Sequence, residues 1–391
     1  MRRVFSPEFV FPAVYLLFLA LALSAYRIET TARYLIPAFG VPGLESVGLT
    51  LLGILLVLAG IRLGRKFRVR FNPDHLLPAM ALLSLYALQS AFPEQTPLNI
   101  AIALGSVGFW LVFTRRGSAT LLLSGAYALA VAAAALTLSQ GIPLFEASFR
   151  QSVAVSPARA VFHGLAVLSA ALLAVLMPLR IVLPGTALLA LLGVLSGFKS
   201  DAIAVILSGT LAGLISGRVS FRGIALAFAG VAAILSVVST HIASLAYSTW
   251  KIPPHLYVFY RTGFTFSVFD RIVELSLPWG LLHGQAMLDV SQTTTSRVVL
   301  DYQREHIITS TLFGPATLDF GIPGLVGAAL LLGAYLGAMH RLAKHSLGKA
   351  CYAVALTHVL ILIEVGIQPT SVLFLLTLLY LSLKGKELGR R

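Results

Sequence analysis

The chain is poor in charge. Only 11% of its 391 residues are Asp, Glu, Lys or Arg, while 58% are hydrophobic; soluble domains carry about 25% and about 45–50%. So few charges cannot clothe a water-facing surface, which excludes reading the length as two or three soluble domains of about 100–200 residues each. Cysteine is nearly missing. Cys351 stands alone, so an intrachain disulfide and any cysteine-built zinc or iron–sulfur cage are excluded. Acid is scarcer than base, with 15 Asp and Glu against 29 Lys and Arg and a net charge of +14. On a soluble protein that excess would point to nucleic acid. Here it reads as the Lys/Arg bias that orients membrane spans, and no nucleic-acid partner is expected. The P-loop, G-x-S-x-G, H-E-x-x-H and Cys/His metal spacings of soluble enzymes are also absent, so no metal site and no cofactor is expected.

What the chain does have is long apolar runs. Crossing about 30 Å of hydrocarbon takes about 17–25 helical residues, and twelve stretches qualify: 8–26, 45–61, 75–92, 97–114, 118–138, 159–178, 181–197, 201–216, 222–242, 321–339, 350–367 and the shorter 370–383. The expected fold class is all-α, a polytopic membrane bundle of about 12 transmembrane helices with a long, partly helical outer loop. Residues 1–242 would hold spans one to nine, 243–320 the large extracytoplasmic loop, and 321–391 spans ten to twelve with a basic tail. The first span follows Arg2 and Arg3, but Tyr26-Arg27-Ile28 offers no small-residue cleavage pattern, so it reads as a retained helix. With the N-terminus inside and the spans alternating, nineteen of the 29 basic residues fall in inner segments. That bias predicts a multi-pass protein of the cell membrane with both termini cytoplasmic.

Three outer-side features could carry chemistry. The hairpin Leu195-Ser-Gly-Phe-Lys-Ser-Asp201 puts Lys199 and Asp201 at a tight turn between apolar spans. Ionisable groups there point to function, although Lys199 could snorkel to headgroups and Asp201 could cap the next helix. The loop Gly141-Ile-Pro-Leu-Phe-Glu-Ala-Ser-Phe-Arg150 brings Arg150 to the same side, as a ligand or as an exposed loop arginine. In the long loop, Phe264–Leu277 reads as an amphipathic helix. Phe266, Phe269, Val273 and Leu277 recur every three or four residues, with Asp270, Arg271 and Glu274 on the other face. It would lie in the interface plane or pack on the bundle. Tyr257, Phe259, Tyr260, Arg261 and Phe264 precede it, and Tyr257 and Tyr260 could stack sugar rings or anchor among headgroups. Downstream come Arg297, then Arg304-Glu-His306, then Thr309-Ser-Thr and Asp319 beside glycines and a proline that shape a broken-helix start to span ten.

Cations beside a greasy surface suit an anion attached to a lipid. A polyprenyl diphosphate puts negative charge at headgroup level and its tail in the bilayer, and arginine meets phosphate oxygens bidentately. Arg150, Lys199, Arg261, Arg271, Arg297 and Arg304 could bind it. Glycosyl transfer from such a donor releases a diphosphate, so charge grows where these cations would point. His306, Glu305 or Asp319 could take the acceptor proton, His306 starting nearest neutral pH.

Gly197-Phe-Lys-Ser-Asp201, Gly141-Ile-Pro-Leu-Phe145, the long outer loop and Thr309-Ser-Thr…Asp319-Phe-Gly-Ile-Pro-Gly324, in that setting of spans, resemble the oligosaccharide repeat-unit polymerases (Wzy-type, in the O-antigen polymerase and ligase group). The likeness covers about residues 135–340. An arginine commonly follows the glycine in that family where Lys199 stands here, and lysine lacks the bidentate fork. The resemblance implies a metal-independent membrane glycosyltransferase of polysaccharide biosynthesis, joining glycan repeats carried on polyprenyl diphosphate at the outer leaflet. It implies Lys199 and the loop arginines as the diphosphate ligands, membrane lipid as surroundings, and glycan-assembly proteins as partners. The competing reading is a secondary transporter or a lipid-linked oligosaccharide flippase. A transporter would put ionisable residues mid-membrane in broken helices. Glu364 in span eleven is the residue that could favour it.

Overall fold

A computed structural model describes residues 6–66, 72–91, 93–116, 118–139, 141–146, 153, 156–246, 251–290, 293–300 and 308–388. The regular structure among them is helical throughout. In chain order come α1 (Pro7–Ala25), α2 (Glu29–Phe39), α3 (Leu44–Lys66), α4 (Leu77–Ala91), α5 (Thr96–Arg116) and α6 (Ala119–Leu138). Then follow α7 (Pro157–Leu176), α8 (Leu179–Leu195), α9 (Lys199–Ile215), α10 (Phe221–Ala233) and, after a π-helical turn at Ile234–Val238, α11 (Ser239–Ala246). The last group is α12 (Tyr257–Ser276), α13 (Gln285–Leu288), α14 (Thr293–Leu300), α15 (Gly314–Leu342), α16 (Ser346–Val365) and α17 (Pro369–Leu388).

Every one of the twelve expected stretches folds as helix, so the polytopic helical class stands. Among the described residues seven are long and apolar enough to cross a membrane: α1, α3, α6, α7, the run Ala225–Ser244, α15 and α16. Three of the other stretches give shorter helices. α4 has 15 residues, about 22 Å at 1.5 Å per residue, and α8 and α9 have 17 each because the turn at Ser196-Gly197-Phe198 cuts them. α17 runs the other way, past the expected 370–383 to Leu388, where Lys384 pairs with Asp74 at 3.0 Å. Helix α2 has no counterpart among the expected spans.

Outward-facing apolar residues fit a lipid solvent: Leu331 on α15 is 74% exposed, a position a soluble bundle would make polar. Without a hydrophobic drive between helices in lipid, close packing takes over. Gly60 and Gly64 of α3 face Gly333 and Gly337 of α15, and a Cβ on any of the four would overlap the opposite backbone. Gly333-Ala-Tyr-Leu-Gly337 therefore seats a helix pair. Gly209 makes only ordinary contact with Thr186 and Ala170, so the similar spacing on α9 does not.

Two features bring the outer-loop residues onto the bundle. Helix α12 starts earlier than the expected 264–277 and packs against α1, α2 and α15 instead of lying in the interface. Phe266, Phe269 and Val273 are buried as anticipated, but so is Asp270. Its carboxylate accepts from the Gly43 amide at 2.9 Å and from the Ser46 hydroxyl, which is why a charge sits on that face. α15 is broken at Gly321 (φ 59°, ψ −138°) just ahead of Pro323, the interrupted start expected of span ten. Gly280 and Pro278 press into the break so closely that neither Gly280 nor Gly321 could carry a side chain.

Candidate functional site

The site begins at a glycine. Gly197 takes φ +74°, open to glycine at little cost, and packs against Pro143, while the Leu144 amide donates to the Leu195 carbonyl at 3.3 Å. Two of the segments noted in the sequence, 141–145 and 197–201, thus meet. The turn projects Lys199 from the start of α9 to Tyr257 at the start of α12. Its Nζ donates to the Tyr257 hydroxyl at 3.0 Å and lies 4.6 Å from the ring centroid, a hydrogen bond combined with cation–π attraction.

One helical turn along α12 stands Arg261. Its Nε donates to Glu364 Oε1 at 2.6 Å and its Nη2 to Thr309 Oγ1 at 3.0 Å, and Thr309 shares a 2.8 Å hydroxyl contact with Thr265. Glu364 belongs to the last turn of α16. The side chains of Arg261 and Glu364 are 27% and 30% exposed, so water or a polar ligand reaches both. Burial opposes ionisation of the Tyr257 phenol, but Lys199 and Arg261 beside it prevail and hold it below its ordinary value. Burial likewise opposes the charge on Arg261, yet Glu364 more than compensates and fixes the guanidinium as a cation.

A second group adjoins the first through α9. Asp201, 1% exposed, accepts from Arg159 Nε at 3.3 Å, from Arg159 Nη2 at 3.4 Å and from the His163 side at 2.9 Å. It does not cap α9, whose start carries no side-chain cap; its oxygens are taken up by α7. Arg159 and His163 are four residues apart and share one helix face. The Arg159 guanidinium also covers the Phe198 ring at 3.4 Å, and the His163 ring lies 6.3 Å from that of His358 on α16. The N-terminal ends of α7 and α9, the C-terminal end of α16 and the start of α12 therefore form one charged end of the bundle.

The family model for O-antigen polymerases matches residues 3–376 of the 391. The chain belongs to the O-antigen polymerase family. No curated protein and no solved structure matches it. Membership makes it a multi-pass membrane protein of lipid-linked repeat-unit polymerisation, a glycosyl-transfer role, with a lipid-linked oligosaccharide as substrate.

For this O-antigen polymerase family chain, the residues singled out in the sequence fall into three sets. Lys199, Tyr257 and Arg261 come together, with Thr309 from the third noted segment. Arg271, Arg297 and Tyr260 have other partners. Arg271 pairs with Glu274 at 2.6 Å, both about half exposed; Arg297 reaches Thr293 at 3.3 Å within α14; Tyr260 packs edge-on to Tyr34 at 6.1 Å. Asp319 is fully buried, and its two oxygens accept the Ala286 and Met287 amides at 2.9 and 2.7 Å, so it holds the segment around α13 against the break in α15. Arg150, Arg304, Glu305 and His306 lie outside the described residues. Sequence reasoning missed Arg159 and His163, which fall in the first residues of the expected stretch 159–178. Their signal was the four-residue spacing, and their partner Asp201 is 42 residues away.

Proposed function

We propose that Lys199 and Arg261 bind the diphosphate of a polyprenyl-diphosphate-linked oligosaccharide, and that the chain transfers its glycan to the end of another such unit. The observation that carries this reading is the convergence of the two cations on Tyr257 at the helix ends, with Glu364 as the resident counter-ion of Arg261. A diphosphate would displace that carboxylate from part of the guanidinium fork and gain charge-assisted hydrogen bonds. In the reaction an acceptor hydroxyl attacks the anomeric carbon, the bond from that carbon to the diphosphate oxygen breaks, and the electron pair leaves on the diphosphate. Lys199 and Arg261 meet that growing charge, while Glu305 or His306 takes the hydroxyl proton. Tyr257 would face the sugar nearest the diphosphate. The Asp201–Arg159–His163 group acts one step back, fixing the first turn of α9 and hence Lys199.

The reading puts this charged end on the outer face and both termini in the cytoplasm. Its support is the Lys/Arg count, which concentrates base at the opposite helix ends. Glu364 sits in the last turn of its helix, paired with Arg261, rather than in a mid-membrane break where a coupling site would lie. The test is to incubate purified protein with a lipid-linked repeat unit and resolve the products on a gel. A ladder supports polymerisation, a single shifted band a ligase, and leaflet movement without new bonds a flippase. Lys199→Ala and Arg261→Ala should each slow ladder formation at least about tenfold without loss of membrane insertion; full activity in both would remove the diphosphate assignment.

A further inference from the structure

The opposite end of the same helices holds a cavity of about 590 Å³ that glycosyl transfer does not use. Arg65 from the last turn of α3, Arg341 from the last turn of α15, Lys344 from the connecting turn and Lys349 from the first turn of α16 line it, with His340 and the apolar Ile215. The glycine seam between α3 and α15 forces the closest of these together. Because Gly64 and Gly337 bring the backbones into contact, a guanidinium nitrogen of Arg341 lies 3.5 Å from the Arg65 carbonyl oxygen, and Arg65 itself lies 3.1 Å from His340 Nδ1. Among the described residues the acidic partner is Glu8, 2.6 Å from Arg65. Lys344 and Lys349 have no ion pair among the described residues. Orienting a membrane protein requires only that basic residues lie in the loops. It does not require four of them to converge on one concavity with an apolar wall at the ends of membrane helices.

We propose that this cavity binds a phosphate-bearing anion, and that its occupant is the phosphodiester headgroup of an anionic membrane lipid. Like charges held together by backbone packing are relieved by an anion between them, and the Ile215 wall and the bilayer edge suit an occupant with an acyl tail. Basic pockets between membrane helices recognise headgroups in this way.

The experiment uses the full chain purified in neutral detergent and follows its thermal unfolding. Phosphatidylglycerol should raise the midpoint in a saturable manner, while phosphatidylcholine and sodium chloride of matched ionic strength should not. Lys344→Gln/Lys349→Gln should weaken the phosphatidylglycerol effect by about thirtyfold, from the usual contribution of two lysines near an anionic headgroup. Lys344→Arg/Lys349→Arg should keep it, which separates lost charge from lost folding. Sodium phosphate alone matching the lipid would overturn the lipid assignment in favour of a soluble phosphate. Equal lipid affinity in the glutamine variant, or no response to either phosphate-bearing probe, would overturn the site itself.

Discussion

Removing Arg261 should have two separable effects, one on folding and one on turnover. In Arg261→Ala the 2.6 Å contact to Glu364 and the 3.0 Å contact to Thr309 are both lost. Each partner in the ion pair is somewhat under one-third exposed, so its net worth falls between a surface pair at about 0–1 kcal/mol and a buried one that costs about 3–5 kcal/mol to break. A destabilisation of about 1–2 kcal/mol follows, most of it the cost of leaving Glu364 alone. The double variant Arg261→Ala/Glu364→Ala removes the stranded carboxylate and should recover most of that loss. Turnover should behave differently. A charge-assisted hydrogen bond is worth about 1.5–3 kcal/mol, and losing one to the departing diphosphate would lower kcat/KM by about 10- to 150-fold. That deficit should persist in the double variant. The assay is a thermal midpoint alongside initial rates of ladder formation on a lipid-linked repeat unit, for wild type, both single variants and the double. Recovery of both stability and rate in the double variant would make Arg261 a structural residue and refute its role at the diphosphate.

Four further outcomes follow from the same contacts. Lys199→Arg should polymerise within a few-fold of wild type, because the guanidinium fork also meets phosphate oxygens, whereas Lys199→Ala should lose at least about tenfold in kcat/KM. Asp319→Asn should lower the thermal midpoint by about 1–2 kcal/mol in stability, since an amide offers only one acceptor oxygen to two backbone amides, and should leave the ladder intact; an abolished ladder at an unchanged midpoint would make Asp319 the base instead. Gly337→Leu should cost more than about 3 kcal/mol or prevent recovery of folded protein, as the side chain has to part α3 from α15, which yield in mild detergent measures. The Tyr257 phenol ionises below its ordinary value near 10. Wild type should therefore gain stability over Tyr257→Phe above about pH 10, an advantage lost as pH falls through the folded-state value and absent at neutrality.

How far a sequence exposes such a site depends on where the partners sit. Lys199 was visible because a cation in the three-residue gap 198–200 between apolar spans stands out. The break in α15 was visible because Gly321 and Pro323 disrupt any helix. Asp270 was misassigned to a polar face because periodicity registers only the helix's own residues, and its partners Gly43 and Ser46 come from another part of the chain. Arg159 escaped notice for the same reason: at the edge of an apolar run it has the look of an ordinary flank until α9 delivers Asp201 beside it. Arg271 shows the converse limit: the sequence offers it as a cation for the site, and only the structure shows that it pairs with Glu274 on the surface. Span length was the weakest reading, since hydropathy windows ignore where a turn such as 196–198 ends the helix.

Helix α16 fixes a distance. Its 20 residues make a rod of about 30 Å, close to the hydrocarbon thickness of an ordinary bilayer, with Lys349 near one tip and Glu364 near the other. Such a rod works as a gauge: if Arg261 meets a lipid-borne diphosphate as proposed, the depth at which Glu364 holds it is tied to the position of Lys349 at the other end of the helix. Bilayers of longer or shorter acyl chains would tilt or sink it, and the rate of glycan assembly would then report membrane thickness.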